Sequence, residues 1–330
     1  MKQAQEITWK QRALELSDRL GPFATLVALT IFFAVTTEHF FEIRNLLQLG
    51  EQTAVLGIVA VGETFVIISA GIDLSVGSLL ALSNVTTALL MVRTGSLWAG
   101  IVGGIAVGSL VGLLNGFLTS SARMPSFVVT LGTLMVCRGV AKHITGAHTV
   151  SGLPQSLHFL SWRFPVGSWH GEKVEISLLL VIMVLVAIAG HFVLKRTRLG
   201  RYTYAMGGNM EATRLSGIPV ERYQTAVFAL CGLLTGLAGV LHTARLTVGS
   251  PTTGLWYELR AIAAAVIGGA SLMGGEGGIA GTIVGAFIMA VLVNGLNQKG
   301  VPEHWQDITI GSIIVVAVYI DYWRRRRRAG

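Results

Sequence analysis

Hydrophobic positions in this chain fall in long continuous runs, and the polar positions collect in short stretches between them. A run of about 20 apolar residues is what a helix needs to cross the hydrocarbon core of a bilayer. Only helices or closed barrels satisfy their backbone polar groups there. The runs do not alternate apolar with polar, so they read as helices. Ten spans are predicted, at 21–37, 53–70, 76–92, 98–118, 126–143, 176–194, 223–244, 259–272, 279–297 and 307–323. The fold class expected is an all-α polytopic membrane protein of about ten transmembrane helices.

Composition sharpens this picture. Only 13% of the 330 residues are charged and 52% are hydrophobic, against about 25% charged in a soluble domain. The net charge of +8 would suit nucleic acid if it formed a patch, but it sits between spans and at the ends, where the positive-inside rule puts it. An even number of spans places both termini on one side. Lys2, Lys10, Arg12 and Arg19, then Arg123, then Lys195, Arg196, Arg198 and Arg201, and the closing Arg324 to Arg328 all fall on that side, the cytoplasm. The opposite side receives 38–52, 93–97, 144–175, 245–258 and 298–306, which carry few positive charges. The chain thus divides into a cytoplasmic segment 1–20, a membrane domain 21–323 with a cytoplasmic loop 195–222, and a basic cytoplasmic tail 324–330. The first segment contains Glu6, Glu15 and Asp18, which does not suit a cleavable signal. Its Ile7, Leu14, Leu16 and Leu20 suit a short surface helix. Cys137 and Cys231 lie inside apolar runs and read as packing residues without a disulfide.

Glycine totals 41. Gly104, Gly108, Gly112 and Gly116 recur at every fourth position and therefore share one helix face, where backbones approach closely. Gly232 and Gly236, and Gly281 and Gly285, repeat the spacing. Tight packing within one subunit and a pathway or subunit interface are both open. The fourth and ninth spans share a loose pattern, Val107-Gly108 through Asn115-Gly116 and Val284-Gly285 through Asn294-Gly295, which suggests an internal duplication of the kind transporters carry.

Two segments break the apolar register. In 69–78, Gly71 is placed to end a helix in the left-handed conformation and Asp73 to cap the next, with Ser75 beside it. This is either a capped turn at the membrane edge or a broken-helix element near a pathway. A similar break contains Gly274, Gly275, Glu276, Gly277 and Gly278. Glu63, alone in the second span, belongs either to a buried hydrogen bond or to a pathway.

The loop 195–222 holds a compact helix: Asn209 as N-cap, Met210, Glu211, Ala212, Thr213, Arg214, Leu215 and Ser216 as its turns, Gly217 as its end and Pro219 as a stop. Such a helix either rests on the bilayer or fits a groove on a cytoplasmic partner.

Four stretches occur in a telling order. They are Gly71-Ile72-Asp73-Leu74-Ser75-Val76-Gly77-Ser78; Pro125-Ser126-Phe127-Val128-Val129-Thr130-Leu131-Gly132-Thr133; Arg198-Leu199-Gly200-Arg201 with Gly207 to Ile218; and Ile267-Gly268-Gly269-Ala270-Ser271 with Gly274-Gly275-Glu276-Gly277. Together they resemble the ribose-type permeases of bacterial ABC importers, from the second span to the ninth. The resemblance implies a transport subunit of the inner membrane that works as a homodimer in lipid. It also implies a cytoplasmic ATPase engaging the 209–218 helix, an extracytoplasmic sugar-binding protein, and no tight solute site in the permease. ATP and Mg belong to that ATPase, since this chain has no Gly-x-x-x-x-Gly-Lys-Ser/Thr loop. Pathway or hinge candidates are Glu63, Gly71, Asp73, Ser75, Gly274 and Glu276. His148, His158 and His170 are irregularly spaced and suggest no metal site, while Phe159, Trp162, Phe164 and Trp169 suit a membrane interface or a face for the binding protein. Two other readings stand beside this one: a proton-coupled secondary transporter using Glu63 or Asp73, and a branched-chain amino-acid permease of a related importer. An intramembrane enzyme lacks any constellation of nucleophile and base.

Overall fold

The computed structural model describes residues 9–169 and 172–329, with side chains from Leu20 on except at 169–172, 320 and 323–330. Twelve helices run in order: α1 Trp9–Thr36, α2 Ile43–Ile68, α3 Val76–Thr94, α4 Leu97–Ser120, α5 Ser126–Thr145, α6 Leu178–Arg196, α7 Arg198–Gly208, α8 Met210–Leu215, α9 Val220–Leu246, α10 Tyr257–Ile267, α11 Ile279–Gln298 and α12 Glu303–Ala329. Seven of them (α2, α3, α4, α5, α6, α9 and α11) are long and apolar enough to cross a membrane, and α1 has a shorter apolar part, Leu20–Thr36.

Helix α2 is the hub of the core. Ala54, Val55, Ile58, Val59, Val61, Phe65 and Val66 are all fully buried and pack with residues of α6, α9, α10 and α11. It starts at Ile43, ten residues before the predicted span. Two polar residues of its first turns are buried with partners: Asn45 and Asn294 of α11 exchange hydrogen bonds of 3.1 and 2.7 Å, and Glu51 pairs with Arg163 at 3.1 Å.

The glycine face of α4 meets the glycine face of α9. A Cβ on Gly108 would lie 2.6 Å from Gly236 Cα, and one on Gly112 would lie 2.9 Å from Gly232 Cα. The ladders at 104–116 and 232–236 are thus two sides of one interface inside the subunit. Ser83 of α3 closes it by donating to the carbonyls of Gly104 and Gly236, at 3.0 and 2.8 Å. Gly281 and Gly285 serve a different contact, against Gly268 and Ala264 of α10. Cys137 and Cys231 are free and buried. The outward faces of α4 and α6 carry exposed Val102, Leu110, Phe117, Leu185, Ile188 and Phe192, the apolar surface that lipid requires.

Three expectations about elements are corrected. The first segment is not a separate surface helix: α1 runs unbroken from Trp9 through Pro22, which lies inside it, and residues 1–8, with Ile7, lie outside the described residues. The loop 144–175 is partly folded into an antiparallel hairpin of β1 Arg163–Trp169 and β2 Glu172–Ser177. His148 and His158 there are exposed, and His170 lies outside the described residues. The eighth span, 259–272, is not a full helix. It is the 11-residue α10, preceded by a non-helical segment considered below.

Candidate functional site

Helices α7 and α8 lie together at the end that the charge pattern assigns to the cytoplasm. Thr197 opens α7 by accepting from Gly200 N at 3.4 Å. Asn209 closes α7 and caps α8, its Oδ1 accepting from Ala212 N at 2.9 Å, as its position before Met210 predicts. Gly217 has φ +79° and ends the helix. Thr213 is buried, and its hydroxyl donates to Asn209 O at 2.8 Å. Arg214 is held by Glu221 at 3.1 Å and reaches Glu211 at 3.5 Å. What remains open to a partner is Glu211, Ala212, Leu215 and Ser216, with Leu215 81% exposed.

Below this unit the two sequence breaks meet. The backbone N–H of Gly275 donates to Ile68 O, the last turn of α2, at 2.9 Å. Gly207 of α7 sits on that bond; a Cβ there would overlap Ile68 O and Gly275 N. Gly274 and Gly275 have φ of +81° and +76°, a region that glycine enters without a Cβ penalty. Tyr204 of α7 donates its hydroxyl to Gly277 O at 2.7 Å. The carbonyl of the exposed Glu276 accepts from Ser271 N at 3.1 Å, which closes the turn on itself. Sequence reasoning named Gly274 and Glu276 but missed Tyr204 and Gly207; the adjacent Gly207-Gly208 pair before a capping Asn was the available signal.

The 69–75 segment turns back into the protein. Ala70, not Gly71, takes the left-handed conformation, with φ 61°. Gly71 N then donates to Val66 O at 2.9 Å, the six-to-one bond of a Schellman ending. Space is tight at 71: a Cβ would meet Val66 Cγ1 at 3.0 Å and Phe228 Cζ at 3.2 Å. Asp73 does not cap α3 in the expected way. Ser75 is the N-cap residue, and Asp73 Oδ1 accepts from its N–H at 2.8 Å and its hydroxyl at 2.6 Å. Glu63 Oε1 accepts from Asp73 N at 3.2 Å. Asn115 of α4 donates to Ser75 Oγ at 3.0 Å, and Thr133 of α5 donates to Asn115 Oδ1 at 2.7 Å. Ser126 and Thr130 hold Ile72 through its N–H and carbonyl, both at 3.2 Å. Glu63, Asp73 and Ser75 are all 0% exposed. This set joins α2, α3, α4 and α5 and places Glu63 in a buried hydrogen bond.

A second non-helical stretch runs from Thr247 to Trp256, between α9 and α10. Gly249 pairs with Val150 and packs on Ala88 of α3, whereas Gly254 packs on Gly77. Those contacts are eleven residues apart along α3, so the stretch descends about 16 Å at 1.5 Å per residue. The Gly77 carbonyl and Gly254 touch backbone to backbone, and a Cβ on either would collide. Arg138 of α5 donates to the carbonyls of Pro251 and Thr253, both at 2.7 Å. Nothing in the sequence reading singled out these residues, although an arginine inside an apolar run and the polar, Pro- and Gly-containing 250–254 were visible.

Residues 45–318 match the family described as branched-chain amino acid transport system / permease component. The chain is 41% identical over 301 residues to the ribose import permease protein RbsC of Escherichia coli K12, covering 90% of this chain and 92% of that one. It is 40% identical over 303 residues to RbsC of Bacillus subtilis 168, covering 92% of each. It is 38% identical over 359 residues to the xylose transport system permease protein XylH of E. coli K12, covering 92% of this chain and 91% of that one. No solved structure matches it. With its apolar helices and a match over most of its length, the chain belongs to this family of transport-system permease components and is a multi-pass membrane protein.

Proposed function

We propose that the chain is the membrane-spanning permease of an ATP-driven, binding-protein-dependent importer for a monosaccharide, ribose or a similar pentose. The relatives named for ribose and xylose support the solute class. The observation that carries the mechanism is the contact of Gly207 with the Ile68–Gly275 hydrogen bond. A displacement of the 209–217 unit by a cytoplasmic ATPase would reach α2 and the 274–278 turn with only backbone between them. Asn209, Met210, Glu211, Ala212, Thr213, Arg214, Leu215, Ser216 and Gly217 are assigned to that docking; Gly71 and Gly274 are assigned to the hinge, with Ser75 and Asp73 fixing its far side and Glu276 at its exposed edge.

In this reading both termini are cytoplasmic, and a second copy of the chain, embedded in lipid, completes the pathway. An extracytoplasmic sugar-binding protein delivers cargo. ATP and Mg reside in the ATPase, no cofactor is held by this chain, and nucleic acid is not a partner. ATP binding in the partner shifts the population between two packings of the helices by its differential contacts with them. A proton-coupled transporter using Glu63 or Asp73 is the reading the experiment must exclude, since both carboxylates are fully buried and Asp73 Oδ2 has no hydrogen-bond partner among the described residues. The test is purification with native companions, followed by reconstitution in vesicles with the binding protein and labelled ribose or xylose. Uptake that requires ATP and an associated ATPase chain supports the proposal; uptake by this chain alone on a pH gradient overturns it.

A further inference from the structure

Within the non-helical stretch 247–256, residues 251–253 lie beside the middle of α5, a helix long and apolar enough to cross a membrane. Arg138 stands twelve residues from one end of α5 and seven from the other, or about 18 and 10 Å at the helical rise, and it holds two carbonyls of the stretch. Irregular backbone at such depth is tolerated only where it is buried in protein or lines a water-filled cavity. This stretch is not buried throughout: Thr252, Leu255 and Trp256 are exposed, Trp256 by 52%. An exposed, irregular segment beside a half-buried guanidinium does not fit a lipid-facing surface.

The chemistry around it differs from the lipid-facing sides of α4 and α6. Trp256 adopts φ +63°, a costly conformation for a bulky residue and one that clusters at ligand clamps. The next helix, α10, begins here, mid-protein, and its first turn carries Glu258, which turns inward so that its buried Oε2 packs against Gly77 of α3. An aromatic plate with a few fixed polar groups is the general composition of a small-molecule contact site. A cyclic polyol offers apolar ring faces to such a plate and hydroxyls to the exposed Thr252 and the half-buried Arg138 guanidinium.

We propose that 250–256, with Arg138, forms the water-lined wall of the translocation pathway, and that Trp256 is the platform against which a neutral polyhydroxylated solute passes. This rests on the permease reading given above. Arg138 is a positioning residue in it: its two bonds fix the segment that presents Trp256.

The test uses membrane vesicles holding the complete transporter. Leu255→Cys and, as a lipid-facing control, Ile188→Cys on α6 are treated with a charged, membrane-impermeant methanethiosulfonate; the buried Cys137 and Cys231 set the background. Leu255→Cys is expected to react at least tenfold faster than Ile188→Cys, and its modification to block uptake. Equal unreactivity of the two would show a dry or lipid-covered face and overturn the proposal. Trp256→Ala is expected to lower ribose or xylose uptake at least tenfold at normal membrane abundance, with Trp256→Phe retaining most of it; unchanged uptake by Trp256→Ala would remove the contact role. Labelling needs no solute. If the parent transports neither sugar, the pentose assignment fails while the reactivity of Leu255→Cys still decides the wall.

Discussion

Gly207 and Gly208 are neighbours in the last turn of α7, yet they should respond in opposite ways to an added methyl group. On Gly208 a Cβ meets nothing within 4 Å, so Gly208→Ala removes only backbone freedom and is neutral or slightly stabilising. On Gly207 a Cβ overlaps Ile68 O and Gly275 N and lies 2.9 Å from Ile68 C. Carbon contacts settle at about 3.5–4.0 Å, so α7 must retreat from α2 by at least about 0.6 Å. A shift of that size takes the bond from the Tyr204 hydroxyl on α7 to Gly277 O from 2.7 Å to about 3.3 Å, past useful hydrogen-bond length. Overpacking costs about 1–3 kcal/mol and the weakened bond about 1 kcal/mol. Alanine's helix preference over glycine returns up to about 1 kcal/mol. The net expectation is a loss of about 1–3 kcal/mol, seen as a lower thermal midpoint of the detergent-purified permease, together with ATPase activity that solute delivery no longer stimulates. If Gly207→Ala melts and couples like Gly208→Ala, the contact between α7 and the two breaks does not transmit anything, and the reasoning is wrong.

Three further expectations follow from the same geometry. Gly108→Ala must push α4 about 1 Å from α9, because its Cβ lies 2.6 and 2.8 Å from Gly236 Cα and N; a cost of about 1–3 kcal/mol should lower the thermal midpoint, whereas Gly132→Ala on α5, facing open space, should not. Leu215→Asp should abolish co-purification of the ATPase without changing the melting of the isolated permease, since Leu215 makes the most exposed contact surface of α8; a stable complex would remove this helix as the docking element. Asp73→Ala strands the Ser75 N–H and hydroxyl that it now accepts, at about 1–3 kcal/mol for each buried orphan. Membrane abundance should fall sharply, and Asp73→Asn, which keeps an acceptor, should be milder; normal abundance and melting of Asp73→Ala would deny it the structural role.

The membrane spans were legible because hydrocarbon imposes a length on apolar runs that few other environments do. The start of α2 was not, since Arg44, Asn45, Glu51 and Gln52 read as a polar loop. Asn45 and Glu51 are inside because each has a partner far along the chain, Asn294 and Arg163, and such pairings leave no local trace. The glycine periodicity named the close-packing faces, while only the structure shows that 104–112 and 232–236 face one another. The α8 cap, its turns and its end were readable to within a residue, because capping is local chemistry. Gly71 shows that a glycine at a helix end need not be a dihedral requirement: Ala70 carries the left-handed turn, and Gly71 leaves room for Val66 and Phe228. The eighth span was placed correctly as apolar sequence, but its crossing is shared with 247–256, whose depth is set by Arg138, Gly77 and Ala88 on other helices.

The two breaks matter jointly for how a motion at the cytoplasmic end could reach the middle of the protein. From Gly207 the contacts pass to Ile68 and Gly275, then through the 268–278 turn, where Ala270 N donates to Ala265 O, into α10, whose other end is Trp256. Along α10 the neighbour is α11, touched through Gly268 on Gly281 and Ala264 on Gly285. Contacts made through glycine and carbonyl groups have no rotamers to absorb a displacement, unlike contacts between long side chains. Close-packed backbone of this kind moves as a body or repacks as a step. A short helix fixed at one end to the 274–278 turn and opening at the other onto an exposed stretch is therefore suited to carry a cytoplasmic movement inward. A continuous ninth-to-tenth-helix span, with lipid-facing leucines in place of 247–256, would have no such free end.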